Sequence, residues 1–481
     1  MRPNYVAAIV ASGALGVAQV NISGKTNLYN TLRVPSGSKT RIKWRESYDV
    51  RADATGFYLV FANAYGTNAS ESVSPSGTIG VIKLTAEIGS NYYPVTFGGS
   101  RSISIPPGTL DVKSDPVMVP VSKGVTTIWV RGEADVPTSW VSGIISFNSG
   151  GTGYLYDPVN EVDDVDGVGA MTAPTGYSLE NQWFNPLAIV GFCAPGTKSY
   201  FLVGDSMVAG QGDDQNGEVT TLGNGAGGYF RRAMYSKGYP ALTYGIGGRG
   251  ITAAQSNGST LALNAAKYCT HAICNLGTND IASGGALATI QGYLQTFWGR
   301  LKGAGLAVYQ TNYLPRVATT DNNTTLANQT PVTGFAAGGV RDNLQAWIPT
   351  QVGTAIDGVI DVASVVQDPT TPQKWRMDNQ FVTTMAATMA ATNTNPISLT
   401  ASPPIGAALW ADIGGATPST QTSAYVRAVS GTGPFSVTMK SPFNVIEAAG
   451  KTVVSSPAYD GIHGHPRECA NLAAALAAAV P

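Results

Sequence analysis

Ser206 stands at a position where a serine can act as a nucleophile. It closes the tripeptide Gly204-Asp205-Ser206, which directly follows the apolar run YFLV at residues 200–203. Such a run predicts a buried strand, and the glycine after it predicts a tight turn. A turn at the carboxyl end of a parallel strand is a favoured place for chemistry, although an ordinary turn serine would look the same. A hydroxyl nucleophile also needs a base, because serine is weak at its own pKa.

The histidines limit the choice of base, because the chain has only three of them. His463 and His465 lie in the segment AYDGIHGHP, where Asp460 precedes His463 by three residues. At this spacing the carboxylate can reach Nδ1, fix the tautomer and leave Nε2 facing a substrate. His465 is a competing base, but the spacing favours His463. His271 lies in the apolar segment THAIC, which is typical of a structural histidine beside a sheet.

Two further turns offer hydrogen-bond donors for the negative charge that develops on a carbonyl oxygen. The glycine-rich turn GIGGRG at residues 245–250 can point backbone N–H groups outward, because glycine tolerates the required backbone angles. The segment GTND at residues 277–280 follows the apolar run HAICNL and would place the Asn279 amide at the same edge. Nucleophile, base and donors would then meet at one end of a sheet.

The elements that must position these residues alternate between strand and helix from Ser199 onward. Apolar runs such as ALTYG, HAIC and LAVYQ are separated by helical segments such as GGYFRRAMYSKG and ATIQGYLQTFWGRLKGAG. This alternation predicts βαβ units around a parallel sheet. The segment RECANLAAALAAAV predicts a final helix that begins near Pro466. Residues 319–333, rich in Thr and Asn, are predicted to form a long surface loop.

The rest of the chain is predicted to be rich in β-strands. Residues 30–150 contain many short alternating runs punctuated by Gly and Pro, typical of an antiparallel β-sandwich or jelly roll. Residues 378–456 show the same character and predict a β-rich insertion. The α/β domain is then made of residues 191–377 and 457–481.

Residues 151–190 are Gly-rich and acidic, and they are predicted to form a linker or a long ordered loop. Clustered carboxylates before a glycine suit a hard cation such as calcium, and the candidates here are Asp163, Asp164 and Asp166. Their spacing fits no complete calcium-binding loop, so a solvated acidic loop is the favoured interpretation. We therefore predict no metal and no cofactor.

Composition excludes several classes of partner. The 481 residues are too many for one typical domain of roughly 100–200 residues, so two or three domains are expected. Only 12% of the residues are charged and the net charge is −1, which argues against nucleic acid and anionic membranes as partners. The low charge suits an extracellular or virion-associated protein. Cys193, Cys269, Cys274 and Cys469 form no metal-binding motif, and disulfides and buried free thiols are both compatible with them.

Residues 1–29 are predicted to form a separate N-terminal segment. Its apolar run at residues 5–20 is too short to span a bilayer, which takes about 20 residues. We expect either a signal peptide or a small-residue segment that docks on the body of the protein or on a partner. An oligomer is compatible with the sequence.

Four short blocks of the chain resemble those of the SGNH, or GDSL, hydrolases. They occur in the family's order: GDS at 204–206, glycine at 248, GTND at 277–280 and DGIH at 460–463. Each block alone is common, but all four in order, in a chain with three histidines, are specific. The resemblance covers residues 199–481 apart from the insertion. Residues 30–135 are similar, much less specifically, to the β-sandwich module that precedes the hydrolase domain in some secreted SGNH esterases.

The resemblance implies a three-layer α/β/α fold and a role for each block. Ser206 is then the nucleophile, His463 is the general base, and Asp460 orients the histidine. The oxyanion hole is formed by the backbone N–H groups of Ser206 and Gly248 and by the side-chain amide of Asn279.

Two features depart from the family's pattern. The segment TYGIGG lacks the asparagine that often precedes the second-block glycine, so Gly247 is an alternative to Gly248. The β-rich insertion lengthens the chain just before Asp460, and we expect it to overhang the site.

The activity that the resemblance implies is hydrolysis of a carboxylic ester through an acyl-enzyme. A β-module joined to such a domain favours removal of O-acetyl groups from a polysaccharide, with short-chain or lipid esters as alternatives. A different class of function is a structural or adhesive module of a phage tail or surface fibre, in which the hydrolase domain is auxiliary. Tryptophans can stack on sugar rings, although core packing is their commoner role; the candidates are Trp129, Trp140, Trp375 and Trp410.

Overall fold

The computed structural model describes residues 17–143, 151–180, 182–213, 227–377, 381–387, 396–405, 407–411, 426–439, 452–458 and 460–481. Within these ranges, the N-terminal part of the chain forms antiparallel sheets, and the region that follows forms a parallel sheet with helices. The strands of the N-terminal part are β1 (Ala18–Asn21), β2 (Thr26–Asn27), β3 (Thr31–Arg33), β4 (Arg41–Asp49), β5 (Phe57–Phe61), β6 (Ile79–Ile88), β7 (Asn91–Val95), β8 (Ile103–Ile105), β9 (Val112–Lys113), β10 (Thr127–Asp135), β11 (Trp140–Ser142), β12 (Thr152–Tyr156), β13 (Ser178–Glu180) and β14 (Ala188–Cys193).

Two antiparallel sheets of the N-terminal part pack around an aromatic centre. The smaller sheet has the order β1-β14-β5-β9, and the larger has the order β13-β12-β4-β10-β6-β7, with β8 paired to β6. Phe184 lies between them, because its ring centroid is 6.3 Å from that of Trp44 on β4 and 5.3 Å from that of Phe61 on β5. All five residues of β5 are buried. The predicted antiparallel β region is therefore confirmed.

These sheets extend further along the chain than the sequence predicts. The predicted linker, residues 151–190, contributes β12 and β13 to the larger sheet, and β14 crosses its predicted end. Apolar side chains account for the difference, because Leu155 and Tyr156 of β12 are buried and so are all six residues of β14. The N-terminal module, as we define it from here on, therefore runs to Cys193.

The acidic loop between β12 and β13 is docked on the larger sheet rather than solvated. Each of the three candidate aspartates pairs with a basic side chain: Asp163 with Lys83 at 2.6 Å, Asp164 with Lys43 at 2.7 Å, and Asp166 with Arg101 at 2.6 Å. The Lys43 side chain is fully buried under the loop. Among the residues that the structure describes, no cluster of His, Cys, Asp and Glu has the arrangement of a metal site. The carboxylates therefore neutralise basic side chains of the module.

The α/β domain follows the predicted alternation of strand and helix. Its strands are β15 (Tyr200–Gly204), β16 (Ala241–Gly245), β17 (His271–Cys274), β18 (Ala307–Thr311), β19 (Val317–Thr319), β20 (Gln329–Pro331) and β21 (Gly358–Ile360). Its helices are α1 (Ser206–Ala209), α2 (Tyr229–Lys237), α3 (Ile251–Ala254), α4 (Thr260–Ala266), α5 (Thr278–Ala282), α6 (Leu287–Gly303), α7 (Val340–Trp347) and α8 (Pro466–Ala479). Short 3₁₀ turns occur at Pro158–Asn160, Ser256–Ser259 and Ile348–Gln351. No helix in the described ranges is long and apolar enough to cross a bilayer.

The parallel sheet has the order β2-β16-β15-β17-β18-β21 and is buried on both faces. Phe201 and Val203 of β15 pack into the apolar cluster that contains α4 and α6. Tyr200 and Leu202, which point to the opposite face, pack into the cluster that contains α2 and α8. Side chains alternate between the faces of a strand, so a continuous apolar run needs a helical layer on each side. The predicted three-layer α/β/α fold is confirmed.

The start of the described chain joins the two halves of the protein. β2 is an edge strand of the parallel sheet, with Thr26 opposite Leu242, whereas β1 pairs with β14 of the module. One cluster of buried side chains runs from β4 and β5 into β15, β16 and α6. The segment from residue 17 therefore docks on the body. Residues 1–16 lie outside the described residues, and the signal peptide stays a prediction.

The β-rich insertion is confirmed. Its strands are β22 (Val382–Thr384), β23 (Ile397–Leu399), β24 (Ala408–Ala411), β25 (Val426–Ser430), β26 (Phe435–Met439) and β27 (Thr452–Ser456). They form two antiparallel sheets with the orders β22-β27-β24 and β23-β26-β25. The insertion has its own apolar cluster, which includes Leu399, Leu409, Val437 and Val453.

A hairpin occupies part of the surface loop predicted for residues 319–333. β19 and β20 pair antiparallel, with Val317 opposite Pro331. Between them the hydroxyl groups of Thr319 and Thr325 donate to the Asp321 carboxylate at 2.8 and 2.6 Å. The polar side chains that predict an exposed loop thus form hydrogen bonds with one another within a compact turn.

All four cysteines are buried free thiols, so the free-thiol alternative applies. Burial raises the pKa of Cys193 to about 11 and the pKa values of Cys269 and Cys274 to about 12. Such thiols stay protonated near neutral pH and are poor nucleophiles.

We predict that Asp164→Asn destabilises the fold at pH 7 by about 1–3 kcal/mol, because it removes a charge-assisted hydrogen bond to buried Lys43. Burial by itself raises the pKa of Asp164, but hydrogen bonds from Lys43 and Thr172 bring it below its ordinary value. The stabilisation is therefore present above the ordinary aspartate pKa of about 4 and is lost as the pH falls below it. Urea unfolding of wild type and Asp164→Asn at pH 7 and at lower pH measures the difference in their free energies of unfolding. This difference should become smaller in acid.

The matched control is Asp163→Asn, whose carboxylate is 58% exposed and should contribute much less. A loss of stability for Asp164→Asn that is equal to this control, or that does not change with pH, would contradict the docking of the loop.

Candidate active site

Ser206 is the first residue of α1, directly after the buried strand β15. The Asp205 side chain caps this helix by accepting a hydrogen bond from the Met207 N–H at 2.9 Å. Gly204 makes the turn possible, because a Cβ on it would lie 1.7 Å from Asn275 Oδ1. Only glycine fits at such a close approach. The serine is 6% exposed and sits at the carboxyl edge of the sheet.

A pair of buried side chains braces this turn against β17. Asn275 Nδ2 donates to Asp205 Oδ1 at 3.1 Å, and the Asp205 N–H donates to Asn275 Oδ1 at 3.2 Å. Burial raises the pKa of Asp205. Neither residue is assigned a role by the sequence pattern. The available signal is that Asp205 stands immediately before a helix, where aspartate is a preferred cap.

The structure brings Ser206, His463 and Asp460 together in one hydrogen-bonded chain. Ser206 Oγ lies 2.8 Å from His463 Nε2, and His463 Nδ1 lies 2.6 Å from Asp460 Oδ2. Asp460 Oδ1 also accepts hydrogen bonds from the backbone N–H groups of Ile462 and His463, at 2.9 and 2.8 Å. Burial by itself raises the pKa of Asp460, but these hydrogen bonds bring it below its ordinary value. An ionised carboxylate keeps the proton on Nδ1 and leaves Nε2 to accept from the serine.

The loop that carries Asp460 and His463 is anchored through Gly461. Its carbonyl oxygen accepts hydrogen bonds from the Val317 N–H and from Trp375 Nε1, each at 3.0 Å. A Cβ on Gly461, whose φ is +77°, would lie 2.0 Å from Val317 O, so glycine is required there. The β19–β20 hairpin and a fully buried tryptophan therefore fix the position of the histidine.

The two other histidines lie outside this chain of hydrogen bonds. His465 caps α8 and is buried, and burial lowers its pKa to about 3. His271 begins β17, at the opposite end of the sheet from Ser206, and its ring stacks on Tyr200 and Tyr309. Both are neutral at pH 7, as expected for structural histidines.

The backbone donors lie at the ends of two neighbouring strands. Gly248 follows β16 and has a φ of +74°, in a turn that the Arg249 N–H closes by donating to Ile246 O at 3.1 Å. Gly247 and Gly248 are both exposed. Within the described ranges, the N–H groups of Gly247, Gly248 and Ser206 donate to no protein acceptor. They are therefore available to an oxyanion, and both glycines remain candidates.

The Asn279 side chain is held at both ends of its amide. Its Nδ2 donates to Arg249 O at 3.0 Å, and its Oδ1 accepts from Arg316 Nη1 at 3.2 Å. These two contacts fix which end is the nitrogen and leave one of its N–H groups for a ligand. The next residue, Asp280, caps α3 by accepting from the Ile251 N–H at 2.7 Å. Asn279 and Asp280 therefore hold the turn that contains Gly248 against the end of the sheet.

Arg316 is a site residue that no sequence motif reveals. It follows β18, the neighbour of β17, and is half-buried. Burial lowers its pKa, while the charges of Asp205 and Asp460 oppose that shift. The guanidinium therefore adds positive charge near the serine. The only sequence signal is its place beyond the end of a parallel strand.

The N-terminal module also reaches the site. A Cβ on Gly248 would lie 3.7 Å from the side-chain nitrogen of Asn68, an exposed residue between β5 and β6. The three tryptophan candidates whose side chains are described do not form a comparable exposed surface. Trp140 and Trp375 are fully buried, and Trp129 lies under the Arg45 guanidinium, 3.4 Å from the ring centre. The Trp410 side chain lies outside the described residues.

We predict that Trp375→Phe lowers kcat several-fold, because it deletes the indole donor to Gly461 O while keeping an aromatic ring in the core. Loss of this hydrogen bond should also cost about 1 kcal/mol of stability. Steady-state kinetics and thermal unfolding measure the two effects.

Trp298→Phe is the matched control, since Trp298 is equally buried and donates to Gln310 Oε1 at 3.1 Å, under the sheet. It should lose similar stability and keep kcat. Equal kcat values for the two variants would contradict the anchoring role of Trp375.

A comparison with protein families covers the first three of the four sequence blocks. The model of the GDSL-like Lipase/Acylhydrolase family matches residues 202–381, which include Ser206, Gly248 and Asn279 and end at the start of the insertion, before Asp460 and His463. No curated protein matches the chain. Among solved structures, a protein described as belonging to the G-D-S-L lipolytic family, from Desulfitobacterium hafniense, is 15% identical, with 36% of this chain and 82% of that chain covered and a TM-score of 0.27.

Two further solved structures are similar over part of the chain. A GDSL-like lipase from Bacteroides thetaiotaomicron is 13% identical, with 37% of this chain and 75% of that chain covered and a TM-score of 0.26. AlinE4, an SGNH-hydrolase family esterase, is 19% identical, with 24% and 60% covered and a TM-score of 0.18. The family match identifies residues 202–381 as a GDSL-like lipase/acylhydrolase (SGNH) domain.

Proposed function

We propose that the protein hydrolyses carboxylic esters through an acyl-enzyme on Ser206. The observation that carries this proposal is the hydrogen-bonded chain from Ser206 Oγ through the His463 ring to Asp460. A hydroxyl paired with a neutral imidazole, which in turn is oriented by a carboxylate, is the arrangement that activates a serine.

In the first half of the reaction, His463 Nε2 takes the proton of Ser206 as Oγ forms a bond to the acyl carbon. The electron pair of the carbonyl moves onto its oxygen, where the Ser206 and Gly248 N–H groups and the Asn279 amide stabilise the charge. The intermediate then collapses and the bond to the alcohol oxygen breaks. His463 gives its proton to the leaving alcohol, and the acyl group stays on Ser206.

In the second half, water replaces the alcohol. His463 takes a proton from the water as its oxygen attacks the acyl carbon, and the same three donors hold the oxyanion. Collapse breaks the bond to Ser206 Oγ, which regains its proton from His463, and the acid leaves. The Asp460 carboxylate stabilises the imidazolium at both stages.

We propose O-acetyl groups of a polysaccharide as the substrate. The side chains identified at the edge of the site, Asn68, Asn279 and Arg316, are polar, which supports a hydroxyl-rich alcohol over a lipid. The N-terminal module contributes one of them, which supports a substrate that contacts both halves of the protein. The buried Trp140 and Trp375 give no support for sugar stacking.

We predict that Ser206→Ala releases no acetate above background from p-nitrophenyl acetate or from acetylated glycans, because the attacking oxygen is gone. The matched control is Ser199→Ala, at the other end of the same strand, where the buried hydroxyl contacts Cys269 Sγ. This variant should keep the wild-type rate.

Activity that survives in Ser206→Ala would overturn the proposed nucleophile. If wild type cleaves p-nitrophenyl esters but releases no acetate from any acetylated glycan, the ester-hydrolase assignment stands and the polysaccharide proposal fails. Faster cleavage of long acyl chains than of acetyl would favour a lipid ester.

Asn279→Ala should lower kcat about 10²- to 10³-fold, the usual effect of losing one oxyanion donor. KM should change little, because the charge develops only in the transition state. The control is Asn343→Ala, since the exposed Asn343 amide likewise donates to backbone carbonyls, at the start of α7. An unchanged kcat in Asn279→Ala would remove this residue from the oxyanion hole.

A further inference from the structure

Glu71 is a buried glutamate of the N-terminal module whose side chain contacts the hydrolase domain. It lies between β5 and β6, and its carboxylate pairs with Arg249, the residue immediately after Gly248. Both side chains are completely buried. A buried charge needs a partner and further hydrogen bonds to be tolerated, so this pair is a strong constraint on the surrounding chain.

The remaining contacts of Glu71 also cross from the module to the hydrolase domain. Glu71 Oε1 accepts from the Ala262 N–H at 2.8 Å, and the Glu71 N–H donates to Ser256 Oγ at 2.9 Å. The Glu71 carbonyl oxygen accepts from Tyr244 Oη at 3.1 Å. The glutamate is thus fixed at both its backbone and its carboxylate.

Arg249 connects Glu71 to the donors proposed for the oxyanion. Its carbonyl oxygen receives the hydrogen bond from Asn279 Nδ2, and its N–H closes the turn that contains Gly248. Its guanidinium also lies over the Tyr244 ring, 4.4 Å from the centroid. A shift of the Arg249 backbone would therefore move the Gly248 N–H and the Asn279 amide together.

We propose that Glu71 is a positioning residue for the oxyanion hole, which acts by holding Arg249 in place between Gly248 and Asn279. The N-terminal module is then a part of the catalytic unit. This inference rests on the proposed function of the site, because it assigns Glu71 a task only if Gly248 and Asn279 bind an oxyanion.

The decisive variant is Glu71→Gln, which keeps the shape of the side chain and removes the charge that compensates Arg249. Small displacements of oxyanion donors are costly, and we expect kcat to fall about 10-fold or more with KM nearly unchanged. Phenylboronic acid, which adds to a serine Oγ and forms a tetrahedral anion, should bind more weakly by a similar factor.

The matched control is Glu87→Gln. Glu87 is a buried glutamate of the same module, and it pairs with Arg45 and Arg131 instead of with the hydrolase domain. It should reduce thermal stability and leave kcat and boronate affinity as in wild type. The proposal is overturned if Glu71→Gln loses stability but keeps kcat, or if its loss lies in KM alone.

If Glu71→Gln does not fold, Glu71→Asp replaces it, since it keeps the charge on a shorter side chain. A smaller fall in kcat at constant KM, with weaker boronate binding, is expected, and a wild-type kcat would overturn the proposal. Wild type and Ser206→Ala are assayed alongside. If wild type lacks esterase activity, the proposed function itself fails, whereas a Ser206-dependent esterase that Glu71→Gln leaves intact refutes only the role of Glu71.

Discussion

The hydrogen bond between Ser206 Oγ and His463 Nε2 joins residues that are 257 positions apart in the chain. Its 2.8 Å length can be kept only if both ends are fixed by other parts of the protein. The serine is fixed by β15, by its Asp205 cap and by the contact with Asn275. The histidine is fixed through Gly461, which the β19–β20 hairpin and Trp375 hold from the other side. The proposed chemistry therefore depends on two rigid supports.

Buried and partly buried polar groups contribute to this rigidity. Asp205 with Asn275, Asn279 with Arg249 and Arg316, and Glu71 with Arg249 are side-chain contacts around the end of the sheet. Donors that are already oriented cost little reorganisation when charge develops on a substrate. A carboxylate such as Asp205, whose pKa is raised by burial, is stable there only because neighbouring N–H groups point at it. The fully buried members of the site, such as Asp205 and Glu71, would be unfavourable without their partners.

Local patterns carry much of the information about this site. Neighbouring residues alone produce the strand–turn signals at Ser206, Gly248 and Asn279. They also produce the three-residue spacing of Asp460 and His463, so the sequence is enough to identify all of these residues. Arg316 and Glu71 cannot be identified from the sequence, because their importance arises from contacts with residues distant in the chain. The same limit explains the strands inside the predicted linker. Leu155 and Tyr156 are a short apolar run within a Gly-rich acidic segment, and pairing of β12 with β4 and β13 makes them part of a strand.

The parallel edge strand β2 has a consequence for dividing the protein. It covers one side of β16 with residues from the very beginning of the described chain. A fragment cut at the predicted border, residue 191, would leave the amide and carbonyl groups on one edge of β16 without a neighbouring strand, and uncovered strand edges promote association between molecules. It would also expose the part of the shared apolar cluster that the module covers. The α/β domain and the N-terminal module are thus structurally interdependent. Joining the α/β domain to a different module would require that β2 be kept with it.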